Sequence, residues 1–148
     1  MLSTLASMKK YLFIALLGCL ACQHIETGNT LDKGTIQLIR SLGLLEPGET
    51  IIQYYSNAGK DRAGNFFTDR RIAHYWLASR DPAENEINFA WYRDIVSIDT
   101  VYNVQGDLSY MGVNYVNGPS FRVSVDGSKK EIRRFFETAM LTWQQHRK

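Results

Sequence analysis

The feature that most constrains the fold is a run of seven short segments between residues 50 and 125, each rich in β-branched and aromatic residues. Such segments have the length and composition of β-strands. Turn residues separate them, as in Asn117-Gly118-Pro119, which predicts a hairpin. Short strands at this spacing predict a mainly β domain built as an antiparallel sandwich or barrel. The strands are predicted at 50–55, 65–68, 71–77, 87–91, 95–104, 109–116 and 121–125.

Two helices flank the predicted strands. Ser128 followed three residues later by Glu131 forms a capping box, which predicts the start of a C-terminal helix. Because its apolar stripe must cover apolar surface, we expect this helix to close an open end of the β domain. A shorter helix that begins at Leu31 and stops at Gly43 is predicted either to pack on the domain or to serve as a stalk. The C-terminal stripe consists of Ile132, Phe135, Phe136, Ala139, Met140 and Trp143.

The N-terminal segment has the organisation of an export signal. Lys9 and Lys10 precede the apolar run 11–18, which is too short to span a bilayer but suits a signal peptide. Translation can equally begin at Met8. Without these two lysines, 15 of the 17 basic residues remain against 15 acidic ones, so the rest of the chain has no net charge. Nucleic acid is therefore not expected as a partner.

The residues that end the apolar run indicate lipid attachment. Leu16-Leu17-Gly18-Cys19 resembles the lipobox of bacterial lipoproteins, in which a thiolate takes a diacylglycerol group. The resemblance implies removal of residues 1–18, acylation of Cys19, and a lipidated tether over 19–30 that precedes a domain at 31–148. Since Leu20 rather than Asp follows the cysteine, it implies an outer-membrane protein facing the periplasm if the envelope is Gram-negative.

An ordinary signal peptide is the alternative interpretation of the same segment. The general peptidase would then cut after Ala21, and Cys19 and Cys22 would be incidental. From Gln23 onward there is no cysteine, which excludes a disulfide framework and a cysteine-ligated zinc site within the domain.

Three short motifs give the predicted domain a family resemblance. In order along the chain they are 47–49 (Pro-Gly-Glu), 67–72 (Phe-Thr-Asp-Arg-Arg-Ile) and 92–98 (Tyr-Arg-Asp-Ile-Val-Ser-Ile). Together with seven strands and a terminal helix, this succession resembles the bacterial PH-like family, which has the pleckstrin-homology superfold. The resemblance covers roughly residues 45–145. It implies a seven-stranded antiparallel PH-like barrel or sandwich capped by the C-terminal helix.

Two groups of basic residues are candidates for binding anions. Phosphoinositide-binding PH domains use basic residues of the first hairpin, and the resemblance points to Lys60, Arg62, Arg70 and Arg71 as a candidate headgroup site. Arg70 and Arg71 are alternatively expected to form ion pairs with Asp69, Asp94 or Asp99. The second group lies on the outer face of the C-terminal helix, where it could orient the domain on an anionic bilayer. It consists of Lys129, Lys130, Arg133 and Arg134.

The sequence offers no arrangement typical of catalysis or of a metal or cofactor site. His24, His74 and His146 are scattered, with no HExxH, G-x-S-x-G or Walker motif. We therefore expect a non-enzymatic, membrane-anchored lipoprotein that presents a PH-like binding or scaffold module, with an envelope protein as partner through a free sheet edge. The alternative is a periplasmic β-barrel lipoprotein that holds a small ligand or lipid in its interior.

Overall fold

Seven antiparallel strands in two sheets form the body of the protein. The computed structural model describes residues 24–103 and 107–148, so the predicted leader 1–18, Cys19 and Cys22 lie outside the described residues. The mainly β fold expected from the sequence is confirmed, with every predicted strand present. In chain order the elements are α1 (Lys33–Ser41), β1 (Ile51–Tyr55), β2 (Ala63–Thr68), β3 (Arg71–Trp76), β4 (Glu86–Trp91), β5 (Ile95–Val101), β6 (Ser109–Tyr115), β7 (Phe121–Val125) and α2 (Lys129–His146).

The two sheets are simple meanders. One has the strand order β1-β2-β3-β4 and the other β5-β6-β7, with all neighbours antiparallel. A 3-10 turn at Tyr92–Asp94 joins them. Because β4 and β5 belong to different sheets, the strands do not close into a barrel, and of the two predicted arrangements the sandwich is the correct one.

The space between the sheets is filled by apolar side chains that alternate along the strands. In β7, Phe121, Val123 and Val125 are buried whereas Arg122 is exposed, the pattern of a strand with one face on the core. α2 completes this core with Phe135 and other residues of its predicted stripe. Burying a side chain of this size contributes roughly 1.5–3 kcal/mol. The core therefore depends on α2 as much as on the strands.

The start of α2 has the geometry predicted from its sequence. The Ser128 hydroxyl accepts a hydrogen bond from the Glu131 backbone N–H (3.2 Å), and the Glu131 carboxylate accepts one from the Ser128 N–H (2.8 Å). This capping box fixes where the helix begins. Near its other end, the indole N–H of Trp143 donates to the carbonyl of Tyr92 (3.2 Å) and ties the helix to the turn between the sheets.

α1 packs on the outer face of the four-stranded sheet rather than projecting as a stalk. Ile39 and Leu44 are fully buried against a second apolar cluster that includes Phe66 of β2 and Ala73 of β3. Since the inter-sheet core covers the opposite face, β2 is buried along its whole length. A strand covered on both faces has no polar alternation, which fits the sequence of β2.

The chain enters the fold earlier than α1. Glu26 and Tyr54 exchange two backbone hydrogen bonds (2.8 and 2.9 Å) at the outer edge of β1. Ile25 packs against the inter-sheet core, and Gly28 lies against the backbone of Ile51, where a side chain would not fit. Part of the segment that the sequence assigns to the tether therefore lies against the domain.

Candidate functional site

The four candidate basic residues of the first hairpins lie in two separate places. Lys60 and Arg62 precede β2, whereas Arg70 and Arg71 are at the turn that joins β2 to β3. The two pairs are at opposite ends of this hairpin, on the order of 15 Å apart at a strand rise of ~3.3 Å per residue. The structure therefore does not bring the four side chains to one site.

Arg71 is a buried structural residue with 1% of its surface exposed. Its Nε and Nη2 donate to the two carboxylate oxygens of Glu49 at 2.8 and 2.7 Å, and its Nη1 donates to the Gly43 carbonyl at 3.1 Å. The guanidinium also stacks 4.0 Å from the ring centre of Trp91. Bidentate pairing and stacking are contacts that a guanidinium makes better than an ammonium. With these contacts Arg71 holds the fold together, and it has almost no surface to offer a ligand.

The partner of Arg71 was not the one expected from the sequence. Glu49 takes the place proposed for Asp69, Asp94 or Asp99. Burial by itself raises the pKa of the Glu49 carboxyl, but hydrogen bonds from Arg71 and from Thr68 (2.6 Å) outweigh it and lower this pKa. The buried carboxyl is therefore held as a carboxylate, which compensates the charge of Arg71.

The three motifs that carry the family resemblance meet around this ion pair. Glu49 comes from the first motif, Thr68 and Arg71 from the second, and Tyr92 from the third. The Thr68 hydroxyl accepts hydrogen bonds from the backbone N–H groups of Arg70 and Arg71, and the Tyr92 hydroxyl donates to the Thr68 carbonyl. These residue types are thus explained by turn and corner formation in the fold.

Lys60 binds the N-terminal segment to the domain. Its Nζ lies 2.5 Å from the Glu26 carboxylate and 3.7 Å from that of Asp32. The backbone carbonyl of Lys60 accepts a hydrogen bond from the buried Tyr75 hydroxyl at 2.6 Å. Arg62 lies over the ring of Trp76 at 5.8 Å. Two carboxylates therefore already neutralise the ammonium group of Lys60, and they occupy the place that a bound anion would need.

Arg70 lines a cleft that is separate from the surroundings of Lys60. The cleft has a volume of about 480 Å³ and lies where the β2–β3 turn, the turn between the sheets and the end of α2 meet. Arg70 forms an ion pair with Glu46 there (3.2 Å) and is about two-fifths exposed. Sequence reasoning missed the other cationic residues of this cleft because they come from distant segments. The cleft is lined by Glu46, Asp69, Arg70, Trp91, Tyr92, Arg93, His146 and Lys148.

The histidines of the described residues lie in unrelated surroundings. His74 is mostly buried, with Nδ1 3.1 Å from the Asn65 amide oxygen and Nε2 3.5 Å from Glu86, and burial lowers its pKa despite that carboxylate. Asn65 also accepts from the Ser124 N–H at 2.9 Å, so this cluster joins β2 to β7 across the two sheets. Over residues 24–103 and 107–148, no three His, Cys, Asp or Glu side chains are grouped as metal ligands.

The basic residues of α2 are all exposed and adjacent. Lys129, Lys130, Arg133 and Arg134 occupy the first two turns of the helix. Glu131 is among them, and its pKa is lowered by the capping hydrogen bonds from Ser128 and by the nearby charges of His24 and Arg134. The first described residue of the chain thus lies near the start of α2. No described helix is long and apolar enough to cross a membrane.

Comparison with known proteins bears on the fold. No protein-family model and no curated protein matches the chain. The chain is similar to the crystal structure of a DUF1696 family protein with a pleckstrin-homology domain from Shewanella loihica PV-4, with a TM-score of 0.52 and 10% identity. The alignment covers 84% of this chain and 98% of the other. At this identity the likeness concerns the fold alone, and the fold of the chain is PH-like.

Proposed function

We propose that this protein is a lipid-anchored lipoprotein of the bacterial envelope that presents its PH-like domain as a non-enzymatic binding or scaffold module. The observation that carries the proposal is the lipobox-like segment that ends at Cys19, placed only seven residues before the first strand pairing of the domain at Glu26. An acylated cysteine at that position holds a folded module next to a membrane.

The interior of the domain supports a module over the alternative of a ligand-holding barrel. Aromatic and aliphatic side chains fill the space between the sheets, among them Phe67, Met111 and Phe135, each fully buried. A barrel that carries a lipid needs a cavity in that place. Native mass spectrometry tests the alternative directly, since a co-purified lipid would favour the barrel and a ligand-free mass favours the module.

A protein partner in the envelope stays a prediction. β4 and β5 end their sheets without a further strand among the described residues, so each leaves an edge to which an extended segment can add. The outer edge of β1 differs, because Glu26 already pairs there.

Intact mass spectrometry of membrane-extracted protein tests the anchor. The wild type is expected to begin at Cys19 and to carry the mass of two or three acyl chains, which is what stable anchoring requires. The Cys19→Ala variant is expected to lack this mass and to leave the membrane fraction. Cys22→Ala, the matched control, is expected to keep the acyl mass and to stay in the membrane fraction. A soluble wild-type species that starts near Gln23 and is unaffected by Cys19→Ala would refute the proposal.

A further inference from the structure

The position at which the chain enters the domain fixes which surface an anchor would hold against the membrane. His24 is five residues from Cys19, and an extended chain spans at most ~3.6 Å per residue, so the two are no more than about 18 Å apart. A module on so short a tether cannot turn freely, because its entry point stays near the lipid headgroups. The surface around that entry point is the one that faces the bilayer.

Three observations locate the entry point beside the start of α2. Ile25 packs against the inter-sheet core to which Ile132 of α2 also belongs. Glu26 pairs with Tyr54 near the end of β1, and the next residue, Tyr55, pairs with Asn65 of β2. The side-chain oxygen of Asn65 accepts a hydrogen bond from the Ser124 N–H at 2.9 Å, close to the end of β7 and the connection to α2. His24 itself lies within electrostatic reach of Glu131. The membrane-proximal surface thus includes the first turns of α2.

This end of α2 carries the densest group of exposed positive charge on the helix. Lys129, Lys130, Arg133 and Arg134 are all exposed, and the carboxylate of Glu131 among them is engaged by the Ser128 cap. At physiological ionic strength charges interact over about 8 Å, so these residues act on a bilayer only when held close to it. A tether of at most about 18 Å permits that approach and limits how far the cluster can move away from the bilayer.

We propose that the basic cluster formed by Lys129, Lys130, Arg133 and Arg134 binds the headgroups of anionic phospholipids in the membrane that carries the anchor. The inference rests on the proposed lipid anchor. It deepens that proposal by giving the module a fixed orientation. The cleft at the other end of α2 lies outside this membrane-binding surface, because the 18-residue helix is about 27 Å long at 1.5 Å per residue.

Amine footprinting of the lipidated full-length protein in nanodiscs tests this orientation. Lys129 and Lys130 are compared with Lys148, an exposed lysine beyond the other end of α2 that serves as internal reference. In discs that contain phosphatidylglycerol, labelling of the first two is expected to fall about threefold or more relative to Lys148. In phosphatidylcholine discs, or at high salt, the difference is expected to disappear.

A charge variant with a matched control sharpens the test. Arg133→Gln/Arg134→Gln is expected to restore much of the labelling of Lys129 and Lys130 in anionic discs. Arg40→Gln/Arg80→Gln, which removes two exposed charges elsewhere, leaves the protection unchanged. Equal labelling at both ends of α2 in anionic discs would overturn the inference.

Intact mass measured on the same samples separates this inference from the proposed function. Acylated protein with no difference in labelling refutes the orientation and leaves the anchor standing. Protein without acyl mass refutes the anchor and the orientation together.

Discussion

Gly64 lies where two buried tyrosine rings cross β2. The hydroxyls of Tyr54 and Tyr75 are 2.8 Å apart, and they lie 3.0 and 2.6 Å from the backbone carbonyls of Ala63 and Lys60 respectively. A Cβ at position 64 would overlap the Tyr75 ring and would lie 2.8 Å from the ring of Tyr54. Glycine is needed here because the rings occupy the space of a side chain, and the backbone angle plays no part.

We predict that Gly64→Ala lowers the free energy of unfolding by about 1–3 kcal/mol, the usual effect of overpacking a core. Gly112→Ala is the matched control, because Gly112 also lies within a strand but its Cβ would meet nothing closer than 3.8 Å. We expect that control to stay within about 0.5 kcal/mol of the wild type. Urea unfolding followed by tryptophan fluorescence measures both, and equal losses would contradict this account of Gly64.

At the scale of elements, the pair Glu49–Arg71 connects the α1 layer to the four-stranded sheet. Glu49 lies in the connection from α1 to β1, Arg71 begins β3, and the third contact of Arg71 is the Gly43 carbonyl just after α1. The pair is fully buried, so loss of one partner leaves a charge without compensation.

We predict that Glu49→Gln costs about 3–5 kcal/mol in the free energy of unfolding, as for other broken buried ion pairs. Glu46→Gln is the control, since Glu46 pairs with Arg70 at the surface, where an ion pair contributes about 0–1 kcal/mol. The comparison uses denaturant unfolding at neutral pH. A loss below about 1 kcal/mol for Glu49→Gln would contradict the assigned role.

The role of Glu49 also predicts how the free energy of unfolding changes at acid pH. The pKa of Glu49 is lower in the folded state than its ordinary value of 4.5, so its contribution is present above that pH and is lost as the pH falls through the folded pKa. The wild type should therefore lose stability below about pH 4.5 more steeply than Glu49→Gln. Parallel profiles for the two proteins would contradict the pKa shift.

The strands and α2 could be predicted from the sequence because each carries its own local signal. The capping box at Ser128 and the alternation in β7 depend only on neighbouring residues. The packing of α1 could not be predicted in the same way, since its partner face on β2 and β3 is set by tertiary contacts. One signal was available in the sequence, because β2 (Ala-Gly-Asn-Phe-Phe-Thr) lacks the alternation of polar and apolar residues that marks a strand with one solvent-exposed face.

The candidate anion site could not be judged from the sequence for a related reason. A sequence shows that Arg71 is basic and that Glu49 precedes it by 22 residues. It does not show that the two side chains lie 2.7 Å apart in the folded protein. The cleft near Arg70 could not be predicted for the same reason. It is formed by side chains that are distant in the sequence, from the β2–β3 turn and from His146 at the end of α2.

At the scale of the whole molecule, buried tyrosines make the stability of the fold depend on pH in the alkaline range. Burial raises the pKa of Tyr75 to about 12, and raises the pKa of Tyr54, Tyr55 and Tyr92 above the ordinary value of 10.0 as well. A raised pKa means that the folded state favours the neutral phenol. The contribution to stability is therefore complete below pH 10 and is lost as the pH rises through the folded pKa.

We predict that these four tyrosines ionise only when the protein unfolds. During an alkaline titration, part of the phenolate absorbance should appear together with the loss of the circular dichroism of the β-sheets. In urea, where burial is absent, all tyrosines should titrate in one step near their ordinary value of 10.0. Complete ionisation with the circular dichroism intact would contradict the prediction.

The place of α2 in the chain has a consequence for the way the protein is made. The core between the sheets is completed by Phe135, Phe136 and Trp143, which follow all seven strands. A ribosome must therefore deliver every strand before the hydrophobic interior can be sealed, so the nascent chain stays open for most of its synthesis. A translocation channel admits only an unfolded polypeptide. This order of elements delays stable folding until most of the chain has been made, which is compatible with the export proposed above.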